Sequence, residues 1–248
     1  MESANPPTIK MNRWFLLWWV LANMVGLPTM TGPLIAGLYI AVAAAIWGDQ
    51  SLDITGYFTI GTIMALIGLF LGGWFGLLQW LALRKHMQIG VKWIWATAVG
   101  VAAGGFMGGL IYGWIFSGPI NNILSINLLG GIGFLYAQVL VLFGMANGIC
   151  VGITQWVVLR RVVQNAWLWV ITLPICFTLG IFLANLIQLS FMYAVVFPGP
   201  MGTTQLLTKM QSSLFLNIAL ALFSLISVGL ATGGLLGWLF RRNKKVML

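Results

Sequence analysis

Gly76-Leu77-Leu78-Gln79-Trp80-Leu81-Ala82-Leu83-Arg84 and Gly152-Ile153-Thr154-Gln155-Trp156-Val157-Val158-Leu159-Arg160 agree at five positions of nine and stand 76 residues apart. Each closes a long apolar run, and each is followed by a short polar loop and another apolar run. A weaker copy, Gly234-Leu235-Leu236-Gly237-Trp238-Leu239-Phe240-Arg241, lies near the end of the chain. The runs that precede these segments are unbroken and far longer than the roughly 10-residue alternating strands of a membrane barrel, which leaves helices.

Composition agrees. Charged residues make up 6% of the 248-residue chain and apolar residues 60%, against about 25% charged in a soluble domain. Such a chain cannot cover itself with hydrated surface. Taking about 20 residues per crossing of a ~30 Å hydrocarbon layer, helices are expected near 14–47, 56–83, 93–117, 130–159, 167–197 and 212–240. Pro28 and Pro33 should break or kink the first and Pro174 the fifth. The expected fold is all-α: one transmembrane domain over 1–248, a six-helix bundle of three two-helix repeats in the same orientation, about 14–92, 93–166 and 167–248. Trp19, Trp93 and Trp167, 74 residues apart each, set the register of the odd helices. The polar Met1–Arg13 segment lacks a small-residue cleavage site and is expected to stay on the protein.

The spans leave eleven of the twelve Lys and Arg residues on one side, with only Lys209 opposite, beside Asp49 and Asp53. This positive-inside asymmetry places both termini in the cytoplasm. It also accounts for the net charge of +9 without a nucleic-acid partner. Arg84, Lys85, Arg160, Arg161, Arg241 and Arg242 are expected at lipid headgroups, where they also favour the negative ends of helices. Ten of the thirteen tryptophans fall near the same side and read as an interfacial belt. Small-residue ladders that include Gly72, Gly76, Gly148, Gly152, Gly233 and Gly237 mark close helix packing, as do Gly234 beside them and the Gly100/Gly104/Gly108 series.

The duplicated Gly-x-x-Gln-Trp-x-x-Leu-Arg, with Trp93 to Gly100 after it, resembles a group of uncharacterised polytopic membrane proteins of cyanobacteria and other bacteria. The likeness covers the repeat core and not the loops, and the third copy departs from it by lacking the glutamine. It implies a bacterial inner membrane, or a thylakoid membrane in a phototroph, and supplies no activity.

Chemistry has little to work with. The acids are Glu2, Asp49 and Asp53, none within a span, and His86 is the sole histidine; neither a catalytic dyad nor a metal cluster can be assembled. Cys150 and Cys176 lie inside spans and read as small core residues. The candidate polar site is therefore Gln79, Gln155, Asn147, Asn185 and Gln188, which either hydrogen-bond between helices or line a small cavity. No cofactor is required, although lipid or pigment would suit the surface.

Three functions follow. The first is a non-enzymatic subunit or accessory or assembly factor of a larger membrane complex, partnered by lipids and by other membrane subunits. The second is a transporter or channel for a neutral or lipidic small molecule, with Asn147, Asn185 and Gln188 along its path. The third is pigment binding, since amide side chains can ligate a chlorophyll magnesium and 13% aromatic content suits carotenoids.

Overall fold

The computed structural model describes residues 14–26, 54–84, 86, 89–117, 130–180 and 226–239, with 54, 112–117 and 130–140 described for their backbone alone. These residues form six helices and no strand: α1 (Trp14–Gly26), α2 (Ile54–Leu83), α3 (Lys92–Ser117), α4 (Gly130–Leu159), α5 (Leu168–Gly180) and α6 (Ile226–Leu239). Helices α2, α3 and α4 are long and apolar enough to cross a membrane, and α1, α5 and α6 are shorter apolar helices. At 1.5 Å per residue the 30 residues of α2 extend about 45 Å, more than a hydrocarbon layer needs. None of the three long helices contains proline. Pro28, Pro33, Asn185, Gln188, Lys85, Arg241 and Arg242 lie outside the described residues.

The glycines dictate how the helices meet. A methyl group on Gly68 would come within 2.8 Å of the Val101 carbonyl oxygen, and one on Gly76 within 2.9 Å of Thr97 Cβ. Because α2 positions rise as their α3 partners fall, the two helices are antiparallel. A methyl group on Gly104 would come within 2.6 Å of Asn147 Cα and one on Gly100 within 2.7 Å of Val151 Cα, which makes α3 and α4 antiparallel too. Gly148 abuts the backbone of Pro174 and Gly152 that of Val170, joining α4 to α5. The last helix returns to the first: Gly229 meets Val20 and Gly233 meets Leu16 and Trp19. Such backbone approach maximises dispersion contact between helices that gain no hydrophobic advantage from one another in an apolar solvent.

Two sequence-based expectations change here. In the third Gly-Trp segment the packing residue is Gly233, not Gly234, which has open space where a side chain would stand. The helix face turned to α1 is shifted by one residue, about 100° around the axis. Nor do all ten tryptophans stand in a surface belt: Trp19, Trp93 and Trp169 are fully buried, while Trp14, Trp18, Trp95, Trp167 and Trp238 are exposed.

Both described turns lie at the end of the bundle where α2 and α4 finish. Arg84 and Arg160 continue the helical hydrogen bonding to Trp80 and Trp156 carbonyls at 2.7 and 2.8 Å. Asn165, in the α4–α5 turn, has φ of 57°, a left-handed conformation that asparagine tolerates better than most side chains.

Candidate functional site, a buried amide and indole network

Gln79 and Gln155 are brought together at the core of that end, both buried. Gln155 Nε2 donates to Gln79 Oε1 at 3.1 Å and to Thr97 Oγ1 at 2.8 Å. Each glutamine oxygen also accepts an indole N–H: Trp93 Nε1 donates to Gln79 at 3.2 Å, and Trp169 Nε1 donates to Gln155 at 2.7 Å. Gln79 Nε2 reaches Asn23 Oδ1 at 3.4 Å, and Asn23 Nδ2 donates to its own helix at Trp19 O, 2.8 Å. Trp19 Nε1 donates to Thr232 Oγ1 at 3.0 Å, and Thr232 in turn donates to Val228 O at 2.8 Å.

One connected set of hydrogen bonds therefore ties α6 to α1, α1 to α2, α2 to α3 and α4, and α4 to α5. The three indoles share its centre. The Trp169 ring centroid lies 6.2 Å from Trp19 at an interplanar angle of 64°, the edge-on arrangement that aromatic quadrupoles favour, and 6.4 Å from Trp93 at a tilted 56°. The network's side chains are amides, hydroxyls and indoles, none of which ionises near neutral pH. It can orient and seal, and it cannot carry a proton through acid–base chemistry.

The sequence reading found the two glutamines and missed their partners. Asn23, Thr97 and Thr232 carry no signal in a single sequence that separates them from other helix-interior polar residues. The tryptophans did carry one: Trp93 follows Gln79 by 14 residues and Trp169 follows Gln155 by 14. The expected register residue, Trp167, is instead 52% exposed. The α4–α5 turn places position 169, not 167, over the glutamine of the preceding helix.

Asn147 stands apart, eight residues or about 12 Å deeper along α4. It is buried, its Nδ2 donates to Phe143 O at 3.0 Å in its own helix, and its Oδ1 has no hydrogen-bond partner. The oxygen instead lies where a side chain on Gly104 would have been, 2.5 Å from that Cβ position. The expected pairing of Asn147 with Asn185, and a path continued by Gln188, involve residues outside those described. His86 lies edge-on to Phe15 at 5.1 Å. Cys150 and Cys176 are free thiols. Among the described residues no three metal-ligating side chains gather.

No protein-family model, curated protein or solved structure matches this chain.

Proposed function

We propose that the chain is a non-enzymatic integral membrane protein that serves as a subunit, accessory or assembly factor of a larger membrane complex. In this reading it crosses the bilayer six times as three helix pairs in one orientation, with both termini cytoplasmic. Its membrane is a bacterial inner membrane or a thylakoid, in line with the resemblance carried by the Gly-x-x-Gln-Trp-x-x-Leu-Arg segments.

The observation that carries the reading is how the polar side chains are used. Gln79, Gln155, Asn23, Thr97 and Thr232 bond to one another and to three indoles, so these side chains tie the helices to one another at one end of the bundle. Large apolar side chains, among them Phe70, Leu66, Trp95 and Trp14, face outward on the described helices. Lipid covers such a surface, and so does another membrane helix. The helix pairs are supported by the two Trp-to-Gln bonds of equal spacing and by the Arg-bearing turns at one end of the bundle.

The test is crosslinking and mild-detergent purification from native membranes. A defined partner in stoichiometric amount is expected. A strictly monomeric species with no crosslinked neighbour would remove the proposal. Cysteines placed at 84 and 160 should react with an impermeant reagent from the same, cytoplasmic side of the membrane.

A transporter or channel for a neutral or lipidic small molecule is the second reading, favoured by the unpaired Asn147 Oδ1 alone. Proteoliposomes should then pass a small neutral solute such as glycerol faster than empty vesicles, and Asn147→Leu should abolish the difference.

A further inference from the structure

Two arginines at the network end are held in the same way. The Arg84 guanidinium carbon lies 5.5 Å from the centre of the Trp80 ring, and that of Arg160 lies 5.1 Å from the centre of Trp156. Each arginine follows its tryptophan by four residues, one helical turn. Trp80 is itself tied down, its Nε1 donating to Ile89 O at 3.0 Å across the α2–α3 turn. A guanidinium held over an indole still has N–H groups for a further acceptor, and its planar fork matches the oxygens of a phosphodiester. Lys92 and Arg161 are exposed at the same end. No acidic residue occurs among the described residues, so neither arginine has a carboxylate partner there.

The surface beneath each arginine is apolar. On α2 the exposed side chains Phe70, Trp74 and Leu81 run up to Arg84; on α4 Ile149, Ile153 and Val157 run up to Arg160. The spacings of three, four and seven keep each series on one face of its helix. An anion alone would satisfy the guanidinium and leave the stripe uncovered. A molecule with an anionic head and hydrocarbon chains satisfies both.

We propose that Trp80–Arg84 and Trp156–Arg160 are two headgroup sites of one kind, each holding an anionic phospholipid with its phosphodiester on the arginine and its chains along the stripe below. The inference rests on the membrane-spanning reading but not on the existence of a partner complex. The test is native mass spectrometry of the full chain in detergent, offered phosphatidylglycerol, phosphatidylcholine or inorganic phosphate. Up to two tightly retained phosphatidylglycerols are expected, preferred by about tenfold per site over phosphatidylcholine, which has the same phosphodiester but whose choline cation is repelled by the guanidinium. Arg84→Gln and Arg160→Gln should each lose one lipid, and the double variant should lose the preference. Arg84→Lys with Arg160→Lys should keep part of it, because the charge stays and the planar fork goes. Equal retention of the two lipids by the native chain, or an unchanged preference in the double variant, overturns the proposal. Displacement of phosphatidylglycerol by millimolar inorganic phosphate also overturns it, in favour of a free-anion site. Circular dichroism and gel filtration check each variant's fold; should the double variant not fold, the two single variants decide.

Discussion

The side-chain amide of Gln155 donates to the side-chain oxygen of Gln79 at 3.1 Å, joining positions 76 residues apart at the centre of the helix bundle. Each glutamine also receives an indole N–H from the helix that follows its own. The bond fixes the relative depth of α2 and α4, and with it the common level of the two arginine-bearing turns. Shared acceptors of this kind are cooperative, and losing one member orphans several others.

Replacing Gln155 with leucine strands the Trp169 N–H and takes a donor from both Gln79 and Thr97. The expected loss is about 1–3 kcal/mol of unfolding free energy. Thermal melts in detergent should shift downward by about 2–4 °C per kcal/mol. Adding Trp169→Phe to Gln155→Leu should cost less than Trp169→Phe does in the native chain. The coupling should fall near about 0.6–1.7 kcal/mol, the range for buried hydrogen bonds between membrane helices. Full additivity in this double-mutant cycle would show that the 2.7 Å contact between them contributes nothing.

Trp167 and Trp169 make a paired test of the third-helix-pair register. Trp169→Phe leaves Gln155 Oε1 without its indole donor and should destabilise by about 1–3 kcal/mol. Trp167→Phe alters an exposed ring and should stay within about 0.5 kcal/mol. Comparison of the two melting temperatures checks the assignment, and a larger effect at 167 would restore the 74-residue register.

Gly148 and Gly234 separate packing glycines from idle ones. An alanine methyl at 148 would collide with the Pro174 backbone, which has no rotamer to change, so Gly148→Ala should cost about 1–3 kcal/mol. At 234 the same methyl meets open space, and the lower helix propensity of glycine predicts a gain of up to about 1 kcal/mol in Gly234→Ala. Both are read from denaturant or thermal unfolding of the intact protein.

Asn147→Leu removes an amide whose oxygen is buried and unpaired and whose nitrogen, among the described residues, bonds to Phe143 O of its own helix. Apolar replacement of similar shape should leave stability within about 1 kcal/mol of the native chain, in contrast to Gln155→Leu. A drop as large as that at Gln155 would show that Asn147 Oδ1 has a structural partner.

The three long helices were legible from apolar run length alone. The expected limits 56–83, 93–117 and 130–159 compare with Ile54–Leu83, Lys92–Ser117 and Gly130–Leu159. That agreement has a simple cause: in a proline-free apolar run the backbone can satisfy its hydrogen bonds only within its own helix, so composition and length suffice. Gln79 and Gln155 were visible as candidates because they recur in a duplicated segment, and glycine spacing announced close packing along α2 and α4.

What each side chain touches was a different matter. Tryptophan suits both the membrane interface and a buried hydrogen bond, since it pairs a large apolar ring with one donor. Type and position therefore could not separate Trp169, in the first turn of α5, from Trp167, two residues earlier in the α4–α5 turn. The same holds for Gly233 against Gly234, where a single step of about 100° decides which one meets α1. The sequence by itself determined that the chain is helical, apolar and glycine-packed. Only the tertiary structure decided which face of each helix turns inward, because that choice depends on the length and twist of the turns and on pairs as remote as Trp19 and Thr232, 213 residues apart.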